Sequence, residues 1–292
     1  MADAKSAGSY SYKVGDIEVI AVADGARTAP VADGFVLNAP LDAVKASFNA
    51  DGMPKDQFTT IFTPTVIRTG GKTVLVDTGM GAGAAQQPGA TFGFLMQNLQ
   101  AIGIGAGDVD TVIISHFHGD HVNGLLAPGG GPAFPNAEIT VPENEWKFWM
   151  DDGEMSRAPK GRMEDLFKNN RRVFDPFKAR VKTHAWDKEV VSGVTAMGTP
   201  GHCIGHTSYV VSSGGKSVFL IQDVTNNPVV SLHQPGWHLG FDQDPVQAEK
   251  TRRKTLDWVA AEKMPVQAFH FPFPGRAYVE KTGEKYRSVP IS

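Results

Sequence analysis

Cysteine is almost missing from this chain. Its 292 residues include one, Cys203, so no intrachain disulfide can form and the fold cannot rest on disulfide staples. No stretch approaches the ~18 consecutive apolar residues that a membrane helix needs. No basic run stands out either: 28 Lys and Arg stand against 31 Asp and Glu, which argues against a nucleic-acid partner. A Gly-rich dinucleotide loop is not evident, so no organic cofactor is expected. The N-terminus has Lys5 but no apolar segment of the kind a signal peptide carries. The chain as written reads as cytoplasmic; a leader removed ahead of Ala2-Asp3-Ala4 would make it periplasmic or secreted.

What is present fits a folded globular chain, with 41% hydrophobic and 20% charged residues. The length can bury a sizeable core. Tyr12 to Val14 and Ile17 to Ala23 read as strands, and Thr28 to Thr60 as an irregular segment with a short helix near Leu41 to Phe48. Phe92, Leu95, Met96 and Leu99 carry helical spacing. Pro142 to Met150 and Asp244 to Glu262 have the opening residues of helices: Pro at the first position, then acidic or Gln residues in the first turn. Two hairpins resemble each other. Thr65 to Asp77 and Tyr209 to Asp223 each turn at Gly-Gly-Lys and run through an apolar strand to an aspartate. Aligned on that turn, Asp77 falls opposite Ile221 and Asp223 comes two residues later. The pattern suggests two similar β-rich halves, although Gly-Gly-Lys hairpins also recur by chance. Strands with helices at intervals imply sheets inside and helices outside.

The chemistry is concentrated in Ser115-His116-Phe117-His118-Gly119-Asp120-His121, directly after the apolar run Val112 to Ile114. His116 and His118 are two apart and share a side of an extended chain. Asp120 and His121 lie past the bend at Gly119. Packing alone gives no reason to gather three imidazoles and a carboxylate, since buried polar groups cost free energy unless paired. Metal binding does. Further ligands are sought just beyond other apolar strands, which yields His202, Asp223 and His270. Seven such ligands suffice for two metals if one carboxylate bridges, and Asp223 is the candidate. Imidazole and carboxylate suit Zn²⁺, the expected ion, and also Mn²⁺, Fe²⁺ and Co²⁺.

The pattern His116, His118, Asp120, His121, then His202, Asp223 and His270 resembles the signature of the metallo-β-lactamase superfamily. Val14 to Val19, Ala23-Asp24-Gly25, Leu75 to Gly79 and Ala133 to Ala137 are similar to methyl parathion hydrolase and its lactonase and arylesterase relatives. The resemblance implies an α+β chain forming a single domain over 1–292, a four-layer αββα sandwich. It assigns His116, His118 and His202 to one metal, Asp120, His121 and His270 to the other, and Asp223 to both. Asp120 and Asp223 are the expected catalytic residues. Asp77 would orient a ligand histidine from behind, and His206 would be a histidine behind the ligands. Trp149 would be either core or an aromatic pocket wall, with Phe92, Phe271 and Phe273 as further pocket candidates. Cys203 is expected to be a small packing residue, and His184, His233 and His238 surface or loop residues.

The implied activity is a dinuclear hydrolase. A hydroxide between two metals would attack a lactone, aryl ester or phosphotriester, a small-molecule substrate. The relatives suggest a homodimer. Alternatives are a mononuclear iron sulfur dioxygenase, against which the intact Asp120, His121 and His270 argue, and a β-lactamase, whose Cys or lysine features are lacking. A decayed fold serving only in binding would have no reason to keep all seven ligands.

Overall fold

Alternation of apolar residues sets the layers. The structure, a computed structural model, describes residues 4–6 and 8–291. In chain order the first strands are β1 (Ala4–Ser6), β2 (Ser9–Val14), β3 (Ile17–Val22), β4 (Gly25–Pro30), β5 (Gln57–Phe62), β6 (Thr65–Thr69), β7 (Lys72–Val76), β8 (Thr111–Ile113), β9 (Glu138–Pro142) and β10 (Val181–His184). The rest are β11 (Glu189–Val191), β12 (Val194–Gly198), β13 (Thr207–Ser213), β14 (Lys216–Leu220), β15 (Val266–Gln267), β16 (Arg276–Thr282) and β17 (Lys285–Pro290). One sheet has the order β1-β2-β3-β6-β7-β8-β9-β10, the other runs β11 to β17 in sequence, and β4 pairs β5 as a separate ribbon. The helices are α1 (Leu41–Ala50), α2 (Ala82–Ala85), α3 (Leu95–Ala101), α4 (Gly119–Val122), α5 (Glu143–Trp149), α6 (Asp152–Arg157), α7 (Arg162–Phe174) and α8 (Pro245–Ala261). Among the described residues no helix is long and apolar enough to cross a membrane.

Period-two alternation puts Leu75 and Val112 on one face of the first sheet, against Leu95, Leu99, Trp149, Phe167 and Phe174 of the helices. Val74, Val76 and Ile113 point the other way and meet Tyr209, Val211, Val218 and Leu220 of the second sheet. That sheet's outer face, through Phe219 and Val266, packs on Leu256 and Val259 of α8. The result is the expected αββα sandwich. A smaller core joins α1 and the ribbon, through Val44, Phe48 and Phe58, to Val229, Val230 and Leu239.

Strands β7, β8 and β9 run parallel, as do β14 and β15. Parallel strands end at one edge, where crossover loops can gather functional groups. The two similar hairpins, β6–β7 and β13–β14, sit in different sheets. Asp77 N donates to Ile113 O on the parallel neighbour at 2.8 Å, and Ile221 N does the same to Gln267 O at 3.1 Å. Asp77 and Ile221 thus occupy equivalent ladder positions, as the Gly-Gly-Lys alignment implies.

Several element boundaries differ from the sequence reading. Helix α3 begins at Leu95, so Phe92 lies in the preceding loop, bridged to Gly25. The apolar strand ahead of His270 is short, only Val266–Gln267. Helix α8 matches, with Asp244 Oδ1 accepting from Gln247 N at 2.9 Å. Helices α2, α4, α6 and α7 are not expected from the sequence. In α7 the buried Phe167, Val173 and Phe174 are interrupted by Asn170, a polar residue inside the core, and that weakens the apolar spacing.

Candidate metal centre

The seven expected residues converge at the strand-end edge. His116 and His118 lie between β8 and α4, and the single turn of α4 carries Asp120 and His121. His202 follows β12, Asp223 lies in the turn after β14, and His270 follows β15. Glycine lets the His202 loop press onto α8: a Cβ on Gly201, whose φ is +131°, would stand 2.3 Å from Ala248 N.

Two groups of atoms face each other. His118 Nδ1 is 3.2 Å from His116 Nε2 and 2.8 Å from His202 Nε2. Ligand atoms around one tetrahedral zinc, each at ~2.0–2.1 Å, stand about 3.3 Å apart. Asp120 Oδ2 is 3.6 Å from His121 Nε2 and 3.6 Å from His270 Nε2. Asp223 touches both groups: Oδ2 is 3.3 Å from His202 Nε2 and 3.0 Å from His270 Nε2, and Oδ1 is 3.2 Å from His121 Nε2.

The outward nitrogens settle the tautomers. His121 Nδ1 donates to Asp77 Oδ2 at 2.7 Å, His202 Nδ1 to Asp242 Oδ1 at 2.8 Å, and His270 Nδ1 to Ile61 O at 2.6 Å. Each partner can only accept, so in the neutral ring the inner Nε2 carries a lone pair. His116 Nδ1 lies 3.0 Å from Ser115 Oγ, which in turn donates to Asp77 Oδ2. His118 is reversed. Its Nδ1 faces inward, while Nε2 meets Cys203 Sγ at 3.6 Å and an Arg162 nitrogen at 3.3 Å.

Two buried inner atoms, His121 Nε2 and Asp223 Oδ1, lack a hydrogen-bond partner. Orphaned polar atoms of this kind are costly in a folded core, and a cation between them satisfies both. The donor set of imidazoles and carboxylates therefore fits divalent metal. Electrostatics divide the histidines. Burial, then neighbouring imidazoles, push His116 and His118 well below the usual histidine range, which favours the neutral ligand form. Burial alone would raise Asp223 and lower His121, but the facing opposite charges outweigh it, holding Asp223 well down and His121 well up.

Behind these residues lies Asp77, whose Oδ2 faces His121 Nδ1. Its Oδ1 accepts from Ser115 N at 2.8 Å, and its Oδ2 also takes Gln222 Nε2 at 2.9 Å. His206 Nε2 accepts from Asp223 N at 3.1 Å and so fixes the shared carboxylate from behind; burial pushes its pKa down to about 3. Two supports were missed in the sequence. Asp242 anchors His202 and is itself approached by the buried Arg252 at 3.5 Å. Glu145, read only as a first-turn helix residue, is fully buried and clamps two loops. Its Oε2 accepts from Phe117 N at 2.9 Å and Trp149 Nε1 at 2.8 Å, and its Oε1 accepts from Gly205 N at 2.7 Å.

A cavity of about 320 Å³ opens onto the cluster. Its walls include Phe58, Phe62, Phe241, Met80, Leu166, Arg27, Arg162 and Asn226 besides His118, Asp120, His202, Asp223 and His270. The four aromatic residues expected there do not line it. Trp149 is core: wholly buried, its ring 4.7 Å from Phe167. Phe92 stands behind Phe62, ring to ring at 6.0 Å. Phe271 is buried under α8, and Phe273 packs into the core between the sheets. Cys203, expected to be a small packing residue, is buried, and its Sγ also lies within 4.8 Å of ligand-type atoms of His116, His118 and His202. His233 and His238 pair with Asp51 and Glu249 at 2.8 and 2.9 Å, away from the cluster.

A four-layer sandwich with a histidine–aspartate cluster at its strand-end edge defines the class. The chain belongs to the metallo-beta-lactamase superfamily, which residues 63–252 match. No curated protein sequence matches it. Among solved structures it is similar to AidC, described as a dizinc quorum-quenching lactonase, at 24% identity and a TM-score of 0.88, covering 98% of each chain. It is also similar to the hydrolase AbOPH of the beta lactamase superfamily, at 28% identity and a TM-score of 0.87, covering 99% of each. A metal-dependent hydrolase of probable assignment from Staphylococcus aureus is 19% identical with a TM-score of 0.78, over 96% of this chain and 99% of that one.

Proposed function

We propose that this protein is a dinuclear metal-dependent hydrolase that opens lactones, with aryl esters and phosphotriesters as the related substrates to test. The observation that carries the reading is Asp223, whose two oxygens reach both groups of inner nitrogens. His116, His118 and His202 would hold one ion, Asp120, His121 and His270 the other, and Asp223 both. The description of AidC as a dizinc lactonase supports two ions and a lactone, and makes zinc the ion to test first. When bound, such ions lower the pKa of water towards neutrality and polarise the substrate's carbonyl or phosphoryl oxygen.

The chain's own residues do the rest. Phe58, Phe62 and Phe241 take the apolar body of the substrate and exclude water from the scissile bond. Asp120 is the most accessible ligand carboxylate, its side chain 22% exposed, and it reaches the cavity. It is therefore the group placed to take the proton that the attacking water gives up and pass it to the leaving oxygen. Asp77, Asp242 and His206 hold the rings and the shared carboxylate in position.

Elemental analysis of protein purified without added metal, with hydrolysis of one lactone, one aryl ester and one phosphotriester, tests this reading. Two ions per chain and loss of activity in Asp223→Ala are expected. One iron, no hydrolysis and oxygen uptake with a persulfide would replace it with a sulfur dioxygenase.

A further inference from the structure

The cavity holds two guanidinium groups, on Arg27 and Arg162, and neither has a carboxylate partner within ion-pair distance among the described residues. Arg27 belongs to ribbon strand β4 and Arg162 is the first residue of α7, so they reach the cavity from different elements. The carboxylates in the cavity wall, Asp120 and Asp223, are turned to the histidines.

Arg162 is held in place but only partly used. Both terminal nitrogens donate to Phe241 O at 3.2 Å, and one lies 3.3 Å from His118 Nε2. That last contact needs a lone pair on Nε2. When His118 ligates through Nδ1, the ring proton sits on Nε2, and two donors then face each other. The sulfur of Cys203 is the acceptor left for the ring proton. The guanidinium keeps its hold on Phe241 O while one N–H is released towards the cavity. A guanidinium fork with free donors beside apolar walls is a receptor for a planar oxyanion.

Resting on the hydrolase reading above, we infer that the preferred substrate carries an oxyanion, a carboxylate or a phosphate, remote from the bond that is cut, and that Arg162, assisted by Arg27, selects it. The apolar body lies against Phe58, Phe62 and Phe241, and the anionic end against the guanidinium groups.

The test uses metal-loaded protein and two kinds of ligand. The first is a pair of γ-lactones alike except that one bears a free carboxylate and the other its carboxamide. The second is the matching pair of non-hydrolysable cyclic ethers, with a phosphate-bearing third member, followed by calorimetry. The acid should be preferred over the amide about 10- to 100-fold, as suits a hydrogen-bonded charge pair. Arg162→Gln should reduce that preference at least tenfold, Arg27→Gln should reduce it less, and both preferences should weaken with added salt. Equal binding of acid and amide by the unaltered protein overturns the inference. So does a preference that survives in Arg162→Gln, since the metal ions would then be taking the anion. If the ethers show the preference but neither lactone is cut, the inference stands and the hydrolase reading falls. Tighter binding of the phosphate member assigns the oxyanion to phosphate; tighter binding of the carboxylate member assigns it to carboxylate.

Discussion

Glu145→Gln should loosen metal binding while leaving the fold nearly as stable as before. Glu145 has no cation within ion-pair distance among the described residues. Burial pushes its pKa up to about 6 from 4.5, opposed by the N–H groups of Gly205, Trp149 and Phe117. The sign follows from that direction. The folded state binds the proton more tightly, so Glu145 contributes most below pH ~4.5, and that contribution is lost as pH rises through about 6. At neutral pH the buried charge costs about 2 kcal/mol. Glutamine removes that cost. It also turns one acceptor oxygen into a donor amide, so at least one of the three N–H groups is left facing another donor, at ~1–3 kcal/mol. The two terms nearly cancel, and unfolding of the metal-free protein should shift by less than about 2 kcal/mol at pH 7. Position is a different matter. Phe117 lies between two ligand histidines, and Gly205 closes the loop that carries His202. A Cβ on Gly205 would stand 2.4 Å from Glu145 N, so that loop is pressed directly against α5. Loss of a support to metal ligands typically costs 10- to 100-fold in metal affinity. Competition with a chromophoric chelator measures the affinity, and thermal unfolding over pH 4 to 8 measures the stability. Affinity within threefold of the unaltered protein would refute the clamp. A collapse of stability in proportion to the loss of affinity would show that Glu145 merely holds the core together.

Other perturbations separate the remaining roles. Asp77→Asn should weaken metal binding about 10- to 100-fold, because the His121 ring loses the carboxylate that fixes its tautomer; chelator competition reports it. Trp149→Phe should cost about 1–3 kcal/mol through the Nε1–H bond to Glu145, read by denaturant unfolding, and should leave KM unchanged because the ring is not in the cavity. Stripping the metals should lower Tm by about 10 °C in calorimetry, taking free metal near a thousandfold above Kd. Asp24→Asn should flatten the fall in stability between pH ~3.8 and 6, since burial raises that carboxyl to about 6; its effect appears in the pH dependence of unfolding.

The clustered histidines and aspartates were more legible in the sequence than their surroundings, for a physical reason. His116, His118, Asp120 and His121 are close in the chain, and their spacing follows from an extended segment meeting one helical turn. His202, Asp223 and His270 were accessible through a single rule, that rigid strands end where loops do chemistry. The equivalence of Asp77 and Ile221 was visible in two hairpin turns and reappears in the hydrogen-bond ladders. Glu145, Asp242 and Arg162 left no such trace. Each reaches the cluster through tertiary packing, Glu145 touching Gly205 from 60 positions away and Asp242 touching His202 from 40. Arg162 stands on a helix whose apolar face is broken by Asn170, so neither the helix nor its first residue could be singled out. Trp149 shows the converse. The sequence leaves this aromatic residue as either core or pocket wall, and α5 turns it into the core, where its N–H anchors the clamp.

The walls around the cluster have a kinetic consequence. The inner nitrogens lie at the strand-end edge of the two sheets, beside the ribbon and the first turn of α7, and the cavity lined by Phe58, Phe62 and Phe241 opens onto them. Metal ions and substrates that enter through this cavity share a doorway. An occupant of that doorway delays escape of the ions to a chelator, and a wider doorway, made by trimming Phe241, admits larger substrates at the expense of faster metal loss.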